Sequence, residues 1–535
     1  MNYLKKAYAR FEKIVSHVKF AVVIISLFTM ALVYGTFVES YHGAGYANKL
    51  VYKSWWFIGI ELAMFISIFM ATVVRLPLKK RLYGFYVIHS GLMVLFIGSF
   101  FTYMNGIDGY IQLVPNSPSH QILIDEDILR ISMPNKSYKM TLPKSHSKVK
   151  INQSINNVTI LEYLPSTENT LEWSPLTKKN EKQHSSQYQL FNNNMSQDMT
   201  LTLSPKSDFK SMLRLGLLNI HYMPHVLQKC FTKDSESGFI VWHLLTGECF
   251  TAEEKNLPTD KTKTGNRFLI IKQKDNYLKF FPDYSPVAIN DDLTKNPDTP
   301  YRVLSRNIFA EQPNLFLFGK EVVFYDKNLK KWTSKSFEID NIISLPWMEF
   351  KLRLIKHSSS HYPIEIPQYT KPIQENGQII KGAIKAVKIK YMNKTYYARS
   401  DGPLTISSGQ DKLQFEISPK KLDLPYQITL ERFKMNKNPG TNNPASFESF
   451  IQLLDGRDET AKIKHHHVYM NNPLKYDDFT FYQSSYFPID NNQFGSVLSV
   501  NYDPGRFFKY LGSLLIVLGS IWHFIINRKK KVSHV

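Results

Sequence analysis

A chain of 535 residues exceeds one ordinary domain, and 43 % hydrophobic with 14 % aromatic residues is enough for a sizeable core. The net charge of +21 raises the question of nucleic acid, but +13 of it lies in residues 1–103 and 507–535, and only +8 in the long segment between. That distribution sets nucleic acid aside, and the lack of any G-x-S-x-G, H-E-x-x-H or P-loop pattern leaves a hydrolase or ATPase without support.

Four stretches, 20–38, 55–74, 82–102 and 507–526, have the apolarity and the ~20-residue length that span a ~30 Å hydrocarbon core. A cleavable signal peptide is the rival reading of the first. Its apolar run is too long, and no small-residue cleavage site follows. Lys5, Lys6, Arg10, Lys13 and Lys19 precede the first span; Arg75, Lys79, Lys80 and Arg81 follow the second; Arg528, Lys529, Lys530 and Lys531 follow the fourth. Four spans put all three clusters on one side, so the positive-inside rule makes 1–19, 75–81 and 527–535 cytoplasmic. The loop 39–54 and the segment 103–506 then lie outside, in a periplasm, a thylakoid lumen or the extracellular space, and the expectation is the periplasm of a bacterial inner membrane.

The outer segment alternates with period two in runs such as "DILRISM", "MEFKLRLIKH" and "AVKIKYMNKTYYAR". "YMNKTYY" reads as a hairpin turn. The expected fold is therefore a membrane protein of four helices, three N-terminal and one C-terminal. They carry a large β-rich, sandwich-like domain of two lobes. Residues 170–200 are polar and weakly patterned, and read as a long loop or insertion. The stretch 251–265 resembles a linker and places the lobe boundary near 255. Cys230 and Cys249 allow one disulfide in an oxidising compartment or two free thiols, and form no C-x-x-C redox motif.

His89 sits about 10 Å inside the third span, and an ionisable residue there is a functional hypothesis by default. It reads either as a haem-iron ligand in its neutral form or as a hydrogen bond to a neighbouring helix. Gly84, Gly91 and Gly98 recur every seven residues and form one close-packing stripe. At 100° per residue His89 lies about 160° round from Gly91, among Leu82, Phe85, Leu92, Met93 and Phe96. Glu61, about 9 Å from the outer end of the second span, is expected to snorkel to water or bond a helix. His523, near the inner end of the fourth span, reads as an interfacial residue or a second contact to the same macrocycle. Of His465, His466 and His467 only the first and last share a strand face, so a solvated strand is the expected reading.

Both ends of the chain resemble the cytochrome c biogenesis protein family ResB, also called CcsB. The carriers at the start are Gly35–Thr36, Trp56–Phe57 and His89–Ser90–Gly91. Near the end they are Pro473–Leu474, Tyr482–Gln483–Ser484 and Asp503–Pro504–Gly505, with Asp478 where the family often has glycine. The resemblance covers roughly half the chain; the middle, about 115–430, is similar only in being long and β-rich. It implies a System II haem export and ligation subunit that passes haem b to apocytochrome c together with a CcsA-like membrane partner. His89 is the position that matches the family's axial haem ligand. The tryptophan-rich W-G-x-x-W-x-W-D-type motif of the CcsA part is missing here, so the chain looks like the partner half of a cytochrome c haem lyase. Two rival readings stay open: an electron-transfer subunit keeping haem b between His89 and His523, and a membrane-anchored β-domain scaffold without a cofactor.

Overall fold

A computed structural model describes residues 2–134, 136–176, 183–231, 238–243, 246–253, 256–261, 265, 267–273, 276–280, 288–289, 301–375, 377–408, 411–440, 444–457, 463–490 and 493–531. Five long helices are named in chain order: α1 Asn2–Val15, α2 Val18–His42, α3 Trp55–Val73, α4 Tyr83–Asn105 and α5 Arg506–Lys531. Four regions are long and apolar enough to cross a membrane: Val18–His42, Trp55–Val73, Lys80–Asn105 and Arg506–Ile526. Their apolar side chains face outward, as lipid requires, with Val22, Phe37, Leu62, Leu514 and Ile521 all exposed.

The chain divides into two compact units, one of residues 1–168 with 367–535 and one of 169–366. The lobe boundary expected near 255 falls on residues outside those described.

The first unit is built on a ten-stranded antiparallel sheet. Eight of its strands form one path: β1 Ile107–Leu113, β2 Pro118–Met133, β3 Asp411–Lys437, β4 Pro444–Asp455, β5 Lys464–Tyr469, β6 Leu474–Tyr476, β7 Phe479–Asp490 and β8 Gln493–Tyr502, in the order β5-β4-β3-β2-β1-β8-β7-β6. Alternate residues enter the core: Ile111 and Leu113, Ile428 and Leu430, Ile451 and Leu453, and Leu498 and Val500 are all buried. The turn expected in "YMNKTYY" is present, with Tyr391 opposite Lys394 and Met392 and Asn393 both at positive φ. A second two-residue turn, Asp477–Asp478, joins β6 to β7, with φ 51° and 64°. Aspartate tolerates that conformation, so Asp478 serves where glycine is frequent.

The membrane helices and the sheet are continuous. α4 runs into β1, β8 runs into α5, and β1 pairs with β8 from Ile107↔Tyr502 to Leu113↔Ser496. At the junction Asp503 accepts from the Thr102 hydroxyl and the Gly505 amide and pairs with Lys509 at 2.6 Å. Burial pushes the Asp503 carboxyl up, but the hydrogen bonds from Lys509 and Thr102 outweigh it and hold it below its ordinary range.

The second unit stacks two sheets on one core of Tyr188, Leu190, Ile220, Tyr222, Leu315 and Leu352. One sheet orders Lys331–Ser336, Glu321–Asp326, Asn314–Leu317, Leu218–Tyr222 and Met212–Leu215, and the pairing of Asn314–Leu317 with Leu218–Tyr222 is parallel. The other orders Ile342–Ser344, Lys351–Ser358, Ser185–Phe191 and Ser196–Thr202. The expectation of a loop over 170–200 is thus corrected: most of its described residues are strand, including Ser185–Phe191 and Ser196–Thr202. The polar composition hid them because Ser185 and Ser186 are fully buried, each satisfied by a hydroxyl partner.

Cys230 and Cys249 form a disulfide. Breaking it with Cys249→Ser should lower the stability of this unit by about 3 kcal/mol, the chain-entropy value for a loop of this size. Denaturant unfolding monitored at the Trp242 and Trp332 side checks it; an unchanged midpoint would remove the bridge from the stability account.

Candidate functional site

Small residues fix where the third and fourth spans meet. Gly84, Gly91 and Gly98 of α4 are buried against α5. A Cβ at Gly91 would lie 2.7 Å from the Gly512 carbonyl oxygen, and one at Gly98 would lie 2.9 Å from that of Gly505. The seven-residue stripe is therefore the contact between the two helices, as its spacing predicts.

His89 projects from the other side of α4. Its Nδ1 lies 3.0 Å from the Phe85 carbonyl oxygen. A carbonyl only accepts, so Nδ1 carries the proton and donates it, and Nε2 holds the lone pair. This is the arrangement of a metal-ligating histidine, whose second ring nitrogen is anchored to a fixed acceptor. The imidazole packs against Phe85, the rings tilted by 35° with centroids 3.8 Å apart. The Arg75 guanidinium lies 4.9 Å from the centroid of the same ring. Arg75 is itself tied down, donating to the Ala71 carbonyl at 2.6 Å, while its own carbonyl accepts from Tyr86 Oη at 2.6 Å.

Seven residues further along the same face, about 10 Å, Phe96 meets Phe65 of α3 at 6.2 Å between centroids. A cavity of about 370 Å³ opens beside this pair, lined by Glu61, Leu62, Phe65, Phe96, Phe100 and others. The face carrying His89 thus has Phe85 with the Arg75 cation at its histidine end, and at the sheet end the cavity between α3 and α4 that Phe96 and Glu61 line. The residue types fit haem: an imidazole with a committed tautomer, apolar ring surfaces for a flat macrocycle, and a guanidinium for propionate charge. Arg75 was legible only as a topology signal, since nothing in the sequence sets it over Phe85.

His523 lies elsewhere. Its backbone and Cβ press on Gly84, within 2.6 Å of a Cβ placed there. His89 is five residues on from Gly84, about 140° round the helix. His523, on α5, meets a different face of α4 from the one that carries His89.

The histidine run of β5 is a paired surface strand. His465 Nδ1 and His467 Nε2 each lie 3.0 Å from a carboxylate, Glu431 and Glu448 respectively, and His467 stacks on Phe450 at 4.2 Å. Among the described residues no group of three His, Cys, Asp or Glu side chains is placed to hold a metal ion.

Residues 391–493 match the ResB-like family. This segment holds the hairpin after Tyr391 and strands β3 to β7, and His89 lies outside it. Protein NrfI of Wolinella succinogenes is 32 % identical over 117 residues, which is 22 % of this chain and 12 % of that protein. The chain thus matches about one eighth of the length of this relative.

Proposed function

We propose, from the match of residues 391–493 to the ResB-like family, that this chain serves cytochrome c biogenesis by holding haem b at His89 inside the membrane and delivering it for attachment to apocytochrome c. The observation that carries this reading is the His89 Nδ1 contact to the Phe85 carbonyl, which leaves Nε2 as the ligating atom. Haem is the cargo. His89 would supply one axial ligand, Phe85 and Phe96 the apolar walls, and Arg75 the charge that offsets a propionate.

One imidazole holds iron loosely enough for release. The opposing ligand would come from a CcsA-like membrane partner bearing the tryptophan-rich haem-handling element. With the lysine and arginine clusters cytoplasmic, His89 lies nearer the inner surface and both sheet-bearing units lie in the periplasm of the inner membrane. An electron-transfer role with haem between His89 and His523 finds no support in faces about 140° apart.

Deleting the gene and staining cell proteins for covalent haem tests the role. The expected result is loss of haem-staining c-type cytochromes, restored by the intact gene. Unchanged staining overturns the proposal.

A further inference from the structure

In the second unit a cavity of about 290 Å³ is lined by His184, His225, Phe318, Lys320, His357 and Ser359. No carboxylate is among these residues. Lys320 pairs at 2.6 Å with Glu338, which is largely exposed.

Behind the cavity runs a buried relay. His184 Nδ1 lies 2.6 Å from Tyr222 Oη, Tyr222 Oη lies 2.6 Å from Ser186 Oγ, and Ser186 Oγ lies 2.9 Å from His357 Nδ1. His184 is 2 % exposed; its Nε2 is buried and meets no side-chain partner, and the Met223 backbone faces the ring. His357 is seated over Gly319, where φ is +78° and a Cβ would come within 2.7 Å of the imidazole. A side chain other than glycine is excluded there on both counts.

We propose that this cavity is an oxyanion site, for a carboxylate or phosphate group, which takes up one proton with each anion it binds.

The proton count follows from the relay. It has three gaps and needs one hydrogen in each. The tyrosine and serine hydroxyls supply two, so one histidine supplies the third from Nδ1. With both rings neutral, that histidine keeps a bare Nε2 and the other carries Nε2–H. One added proton makes both Nε2 atoms donors, as an anion requires. A divalent cation would need both Nε2 atoms bare, and would release a proton instead.

The groups facing the relay are His225, Lys320 with its partner Glu338, and Tyr188, whose hydroxyl donates to the Gly319 carbonyl at 2.6 Å. Burial first, then the charges of His357 and His225, push His184 down to about 3; burial, then Lys320 and His225, lower His357. Both rings are therefore neutral at pH 7 without a ligand. A bound anion supplies the missing negative charge and draws the proton in.

The test is calorimetric titration of the full-length protein in detergent with acetate and with inorganic phosphate. It is run in two buffers of different ionisation enthalpy and repeated across pH. The expected result is binding of at least one probe with uptake of about one proton, tightening about tenfold per pH unit as pH falls from 8 to 6. The stronger probe identifies the source as carboxylate or phosphate. Lys320→Met at the half-exposed mouth should weaken binding at least tenfold without shifting the melting temperature, and His357→Asn should remove the proton uptake. Binding of neither anion overturns the proposal. So does zinc binding with proton release, which would make the cavity a metal site, or uptake that survives His357→Asn.

Discussion

Replacing His89 with alanine should lower haem affinity at least about 100-fold, near 2.8 kcal/mol, in the protein purified with the proposed membrane partner. Loss of a residue that merely orients a metal-bound histidine already costs ~10–100-fold, and His89 is the ligand itself in this reading. The b-type absorption spectrum should disappear, and imidazole added to the buffer should restore part of it. The restoration separates ligation from packing, because free imidazole can replace an iron ligand but cannot rebuild a helix contact. Helical spacing sets His89 about 160° round α4 from the Gly91 contact, so the variant should assemble normally. A full spectrum in His89→Ala, or a lost spectrum that imidazole never restores together with normal assembly, would sink the assignment.

The second large effect should come from a single methyl group. A Cβ at Gly505 would stand 1.8 Å from the Gly98 carbonyl oxygen and 2.5 Å from Thr102 Oγ1. The first clash is with backbone, so no rotamer relieves it. Overpacking a well-filled contact costs about 1–3 kcal/mol, and Gly505→Ala should reach or exceed the upper end. Thermal unfolding in detergent reads the loss directly. Gly45→Ala is the control, because nothing lies within 4 Å of its added Cβ. Equal melting temperatures for the two variants would show that α4 and α5 do not depend on this close approach.

Legibility in the sequence followed the physics that acts locally. The spans were visible because lipid demands continuous apolar runs, and the hairpin at Met392–Asn393 because it follows an alternating strand. The close-packing face of α4 was also legible, since glycines recur every seven residues along it and meet α5. What stayed hidden depends on partners far apart in the chain. Strand Ser185–Phe191 reads as polar because its buried serines are satisfied by Thr202 and Tyr222. The insertion of 169–366 between two halves of one unit is set by pairings such as β2 with β3, about 300 residues apart. At the site, the placing of Arg75 over Phe85 and the anchoring of His89 Nδ1 on a carbonyl are matters of angle and distance that spacing alone does not encode.

The pairing of β1 with β8 directly beyond the packed α4–α5 pair has a mechanical consequence. Two antiparallel segments stay side by side from the glycine contact at Gly84 to the Leu113↔Ser496 rung, with Asp503 pinning the joint between them. The two chains pass the joint through short connections, Gly106 on one side and Asp503–Gly505 on the other. The packing of α4 on α5 and the register of β1 on β8 are therefore set together, and the column enters the ten-stranded sheet at its middle rather than at an edge.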